Sequence, residues 1–446
     1  QNPLGLTPAD TTFVFVTLRR WNGKETWIQA RNAEGIWREV RAYDAEDLAQ
    51  WLEEASAVHL WLSVLLGKHP HSALSLDDFW IDWAGATKPP LSPNLVIGGR
   101  EPARDRILTW FRGTPSVLTM QGDSPEEAVA FLSAVAQTLS SEEKVVILSR
   151  AVVVDDIAAW RGLILSSAPL FLIARFDQPE IIGRAIQKGH HVFVPLGRVG
   201  ATGAFPLPRL IRDAAKQALD EMGQSGERAE DLATLARRSL SALRRKLAIA
   251  PGVQVPAWAQ PNEARNLIAP LLAGAWKDSS KGDRSALSDL AGIPYEQFQH
   301  HAVSSVNAPD PPLLRVGDVW MIAAREDAWR LIARYLTADD LERFEEVALK
   351  VLSELDPAFE LPPEKRFAAS IYGKNLSRSG LLREGIAETL AMMASLSPEV
   401  SFAASKTGEE VARKIVWRLL ETARGNADLW ASLAYLLPLL AEAAPK

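Results

Sequence analysis

Between about residues 95 and 200 the chain alternates short apolar runs with amphipathic stretches. SVLTMQG (residues 116–122), KVVILSRAVVVDD, PLFLIARFD and HHVFVPLG have the length and composition of buried strands. SPEEAVAFLSAVAQTL, IAAWRGLILSS and QPEIIGRAIQKG, lying between them, carry helical spacing. Ser124 as N-cap, Pro125 at N1 and Glu127 at N3 open the first of these helices, and Gly189 closes the last. Such alternation predicts a parallel sheet flanked by helices.

The pattern changes on either side. TTFVFVT (residues 11–17) reads as a strand buried on both faces, and IWREVRAYDAEDLAQWLEEA as a strand turning into a helix. Val40 and Ala42 mark that strand, and Asp44 with Asp47 imitates a capping box. So few elements seldom form an open α/β domain alone. The expectation is the second half of a domain whose first half lies upstream of Gln1 or on another chain. After residue 207 helices dominate. NEARNLIAPLLAGAW, RSALSDLAGI and PYEQFQHHAVSSV read as three short helices, followed by a hairpin in LLRVGDVWMIA. That order is the winged form of helix-turn-helix.

The predicted class is α/β plus α. Its segments are an α/β half-domain over 1–68, a Trp/Pro-rich linker over 69–94 pinned by Phe79, Trp80 and Trp83, and an α/β core over 95–206. A helical lid over 207–261, a winged helix over 262–326 and a helical domain over 327–446 follow. A length of 446 residues fits about three domains or more. With 47% hydrophobic and 23% charged residues, wholesale disorder is excluded. The absence of Cys removes disulfide frameworks, thiolate zinc sites, iron–sulfur clusters and a Cys nucleophile together. No apolar run has membrane-span length, so a soluble, cytoplasmic chain is expected. Since the net charge is -6, any nucleic-acid surface has to be a local patch.

The chemistry turns on the first strand-to-helix loop. A triphosphate cradle needs backbone N–H groups freed by glycines, a Lys for the β- and γ-phosphates and a hydroxyl for magnesium. Here Gly122 and Ser124 stand among Asp123, Glu126 and Glu127, with no Lys and no second Gly. ATP or ADP with magnesium is therefore a cofactor the loop does not support, and a capped core helix is the simpler reading. VVVDD ends in Asp155 and Asp156, which could activate water or hold magnesium, or simply cap the next helix. Seven His (His59, His69, His71, His190, His191, His300 and His301) show no metal-ligand spacing, and no metal site is expected. Arg237, Arg238, Arg244, Arg245 and Lys246 would stack at seven-residue spacing on one continuous helix. Such a ridge suits the phosphates of DNA or of a nucleotide, or the carboxylates of a neighbouring segment. The second helix of the winged-helix pattern offers Glu296, Gln297, Gln299, His300 and His301 and no basic residue, which favours packing over DNA reading.

Taken in order, GGREPARDRILTWF (residues 98–111), SVLTMQGDSPEEAVAFL, VVVDD, PLFLIARFD, LARRSLSALRRKLA and the winged-helix pattern resemble the P-loop ATPase-like modules of STAND-type, AAA+-related bacterial conflict proteins. The resemblance implies that the opening segment with Arg100, the phosphate loop and the winged helix enclose ADP or ATP, with Arg244 and Arg245 contributing. The first segment looks like the distal part of a restriction-endonuclease-like domain, whose Glu-x-Lys centre would lie upstream. The combination resembles large bacterial proteins of anti-phage defence. The function expected is a regulatory and assembly scaffold with a degenerate ATPase core, self-associating or binding other chains. Two alternatives stand beside it: an active ATPase, and a DNA-binding module or nuclease subunit.

Overall fold

The computed structural model describes residues 5–68, 72–176, 179–197, 203–306 and 310–445. His69 and His71 lie outside them. Among the described residues no helix is long and apolar enough to cross a membrane. By class the protein is α/β plus α, with a six-stranded, mainly parallel sheet and a helix-rich C-terminal part.

The chain opens with a βαβ unit. Strand β1 (Thr12–Val16) and strand β2 (Glu39–Tyr43) pair in parallel, Thr12 beside Glu39 through Val16 beside Tyr43, across the helix Lys24–Ala33. Asp44 then starts the helix Ala45–Glu54. Its carboxylate accepts the N–H groups of Glu46 and Asp47, and Asp47 accepts that of Asp44. Alternation along β2 buries Val40 and Ala42. In β1 the expected burial fails, because Val14, Phe15 and Val16 stay 48%, 41% and 53% exposed. Among the described residues the sheet has these two strands; Phe13 and Phe15 pack against Trp37, Trp21 and Trp27, and the face bearing Val14 and Val16 lies open.

The larger sheet comprises β3 (Ala73–Ser75), β4 (Val117–Gln121), β5 (Ala151–Val154), β6 (Phe171–Ala174), β7 (His191–Leu196) and β8 (Phe205–Pro206). Their order is β3-β5-β6-β7-β4-β8. The β5–β6, β6–β7 and β4–β8 pairs are parallel, and β3 runs antiparallel to β5. Two expectations change here. The stretch read as a linker supplies β3 and the helix Leu76–Gly85, with Phe79, Trp80 and Trp83 buried. KVVILS, read as the start of a strand, lies in the helix Ser141–Leu148, because Ser140 accepts the Glu143 N–H and caps it. Val145 and Val146 point to solvent while Ile147 is buried, so the run is the one-sided face of a helix and not a buried strand.

By internal contacts the chain forms two compact units. One comprises Gln1–Ile81, Thr109–Leu118 and Ala136–Val194, and the other Asp82–Leu108, Thr119–Val135 and Pro195–Lys446. The first centres on Val152, Val154, Trp160, Leu172 and Val192. In the second, helices Arg212–Glu221, Gly226–Arg238 and Leu240–Leu247 precede a three-stranded antiparallel sheet. That sheet is β9 (Ala275–Lys277), β10 (Leu313–Val316) and β11 (Val319–Ile322), in the order β10-β11-β9. Helices Lys281–Ala291 and Tyr295–Val306 fall between β9 and β10, turning at Gly292, whose φ of +68° is open to glycine at little cost. Stacked Trp276 and Trp320 tie the sheet to Phe298. Helices Ala338–Leu352, Gly380–Ser395 and Gly408–Ala423 extend the same core.

Candidate functional site

The loop after β4 is the natural place for a ligand in a sheet of this kind, since it leads into the N-terminus of the helix Pro125–Gln137. Here that N-terminus is filled by its own chain. Ser124 is buried, and its hydroxyl accepts the N–H of Glu127 at 3.1 Å. One carboxylate oxygen of Glu127 accepts the N–H of Asp123 at 3.1 Å, and the other accepts an Nη of Arg100 at 2.6 Å. Arg100 and Glu127 are both 4% exposed as side chains, so this is a fully buried ion pair. Arg100 also donates to the Val96 carbonyl at 3.3 Å and lies 5.8 Å from the Phe131 ring. Its Nε has no partner among the described residues. Gly122 stays buried, its N–H donating to the Leu196 carbonyl at 2.9 Å.

The arginines expected to reach a ligand turn inward as well. Arg244 Nε donates to the Trp83 carbonyl at 3.0 Å, its guanidinium lies 5.5 Å from the Trp83 ring, and an Nη reaches Glu126 at 3.5 Å. Arg245 donates to Asp327 at 2.5 Å, to Asp310 at 2.9 Å and to the Val253 carbonyl at 2.9 Å, beside the Trp258 ring. Burial pushes the Asp327 carboxyl up to about 6 despite Arg245 beside it, and Asp310 and Glu126 add to the rise. Burial would by itself lower Arg245, but Asp327 and Asp310 hold it above its ordinary value. Trp83, Glu126, Glu127, Leu240, Ser241, Arg244 and Arg245 together line free space of about 10 Å³, the room of roughly one water.

These residues do not fit a nucleoside triphosphate with magnesium. Three carboxylates sit at or beside the helix start, where the macrodipole would otherwise attract phosphate. Arg100, Arg244 and Arg245 already have anionic partners within the chain. A phosphate would have to break the buried Arg100–Glu127 pair and leave Glu127 as an uncompensated charge, at a cost of about 3–5 kcal/mol.

Asp156 caps the helix Ile157–Leu163 by accepting the Ala159 N–H, and Asp155 pairs with Arg175 at 3.0 Å. Both belong to the first unit. Among the described residues no group of three or more His, Asp or Glu is arranged to hold a metal ion. The basic ridge does not form, because its helix breaks at Ser239, which takes an extended backbone and whose hydroxyl accepts the Ala242 N–H to cap the helix Leu240–Leu247. Arg238 then pairs with Glu399 at 2.9 Å, while Arg237 and Lys246 remain exposed. On the helix Tyr295–Val306, Gln299 and Tyr295 both donate to Asp278, at 3.0 and 2.7 Å, which turns the amide away from any base edge.

Sequence reasoning placed Arg100, Arg244 and Arg245 in the site and missed what neutralises them. Apart from the capping role of Glu127, Glu126 and Glu127 counted there as repulsive charges, Trp83 was read as pinning a linker, and Asp310, Asp327 and Trp258 drew no attention. Their partners lie on other elements, at separations no local spacing rule covers. The acidic loop in a chain rich in unassigned arginines was the one available signal. No family model matches the chain, and it matches no curated protein.

Proposed function

We propose that this chain is a regulatory and assembly scaffold built on a nucleotide-switch type of core that no longer uses a nucleotide. The observation that carries this reading is the buried ion pair between Arg100 and Glu127, at the helix start where a phosphate would sit. Glu126 offers Arg244 a looser, partly exposed partner at 3.5 Å. In effect the chain supplies its own anions, so the loop, the helix Glu101–Arg112 and the helix Leu240–Leu247 are held together without a ligand. The helices and hairpin over 281–322 act as a winged-helix packing module, consistent with buried Tyr295, Phe298 and Ala302 on the helix Tyr295–Val306 and the absence of Lys and Arg from its exposed face. A setting in bacterial anti-phage defence rests on the order of modules along the sequence.

Isothermal titration of the protein with Mg-ATP and Mg-ADP tests this reading, alongside turnover of radiolabelled ATP. The expected result is no saturable heat and no hydrolysis above a buffer blank. Micromolar or tighter binding that disappears in Arg100→Ala, or turnover that disappears in Asp155→Asn, would overturn it.

A further inference from the structure

The two outer edges of the N-terminal sheet are finished differently. On β2, the side chain of Asn32 donates to the Val40 carbonyl at 3.1 Å and accepts the Val40 N–H at 2.7 Å. A side-chain amide there takes the place of a peptide from a third strand at Val40. No such cover lies on β1 among the described residues, whose sheet ends there. The sequence TFVFV also lacks the devices that usually blunt an edge, having no charge, no proline and no bulge against β2. Val14, Phe15 and Val16 are exposed along it, and Leu18 just beyond is 86% exposed. On one face of β1, Phe13 and Phe15 pack against Trp37, Trp21 and Trp27, but the face bearing Val14 and Val16 and the outer edge are open, which leaves the sheet incomplete.

We infer that β1 pairs antiparallel with β1 of a second copy of this chain, about a two-fold axis at Val14. The charges flanking the strand argue for a second copy. Exposed Asp10 precedes β1, and exposed Arg19 and Arg20 follow it, Arg20 also being held by Glu46 of its own chain at 2.8 Å. Antiparallel pairing centred on Val14 sets the acidic end of each strand beside the basic end of the other, so one symmetric operation satisfies both ends. Thr12 then faces Val16 of the second copy, and the result is a four-stranded sheet, β2-β1-β1-β2, with Asn32 capping Val40 on each outer edge. This inference extends the assembly role proposed above. It stands apart from the nucleotide question, since titration with Mg-ATP tests the core and not this edge.

Sedimentation equilibrium of the intact chain, with disulfide trapping, tests it. The wild type is expected to dimerise at micromolar concentration, and Val14→Lys, which sets two cations together on the axis, to be monomeric. Because the chain has no Cys, Val14→Cys creates a single thiol. Under mild oxidation it should cross-link rapidly, whereas Val145→Cys, at a still more exposed helical position, should not. Asp10→Arg should weaken the dimer about tenfold, and the exchange Asp10→Arg with Arg19→Asp should restore it. A monomeric wild type, a dimer unchanged by Val14→Lys, or equal cross-linking of the two Cys variants would overturn the inference.

Discussion

Two arginines in the second unit are buried almost completely and neutralised in opposite ways. Arg100 pairs with a carboxylate, Glu127, at the start of a helix. Arg383, with no exposed surface, has none among its recorded partners. It donates to the carbonyls of Val351 at 2.9 Å, Glu354 at 3.1 Å and Ser432 at 3.2 Å, and to the Tyr435 hydroxyl at 3.1 Å. Val351 lies in the last turn of the helix Ala338–Leu352, and Ser432 near the end of the helix Ala427–Leu433, where carbonyls lack intrahelical partners and the dipole is negative. The guanidinium at 383 is thus a staple among helix ends. At 100 it is a cation in a place suited to an anion, satisfied from within. Buried Arg alone therefore says little about ligands; the identity of its acceptor decides.

The largest effect expected from this contrast is at the staple. Arg383→Met strands several buried acceptors at once and should cost about 3–5 kcal/mol, read from guanidinium denaturation. If the loss is under about 1 kcal/mol, the carbonyl cluster is hydrated and the contrast collapses. Glu127→Gln removes the charge opposite Arg100 and should cost about 2–4 kcal/mol by the same measurement. It should also let phosphate or sulfate raise the melting temperature, since the freed cation then seeks an anion. The paired change Arg100→Met with Glu127→Leu should recover most of that stability, because an apolar pair of similar volume replaces a buried ion pair. No such apolar rescue is open to Arg383, whose acceptors besides the Tyr435 hydroxyl are backbone.

The smallest effect separates the units by pH. In the first unit, burial holds His190 and His191 below the ordinary value of 6.5. His190 accepts the Leu170 N–H at Nδ1 and donates to the Ile164 carbonyl through Nε2, and His191 stacks on Phe171. Lowered His pKa values mean that their stability contribution is full above 6.5 and is lost as pH falls through the folded values. Asp327 has the opposite sign. Raised to about 6, its contribution is full below 3.8 and lost as pH rises through about 6. Denaturation at about pH 7.5 and 5.5 should show acid loss that flattens in His190→Gln with His191→Phe and steepens in Asp327→Asn. No change in slope in either variant would refute these assignments.

Much of the local structure was legible in the chain. The parallel strands β5 to β7, the capped helix after Gly122, the Asp44–Asp47 box and the hairpin around Gly317-Asp318 follow from runs, caps and turns a few residues long. Failures came where an apolar run was ambiguous or a fate depended on distant partners. KVVILS has strand composition, yet Ser140 and the acids behind it cap a helix. Arg244 and Arg245 lost their ridge because Ser239, whose hydroxyl can serve the Ala242 N–H, ends one helix and starts the next.

From sequence alone came the types of most elements, the absence of thiol chemistry and the poverty of the loop at 122–127 as a seat for phosphate, since backbone propensity, capping and formal charge act over a few residues. Tertiary structure alone decided that Glu126 and Glu127 neutralise Arg244 and Arg100, that Arg383 is held by carbonyls, and that β1 is left open while Asn32 caps Val40 on β2. Which charge meets which, and which edge is covered, are set by the packing of distant segments, where desolvation makes each pairing costly to leave unmade.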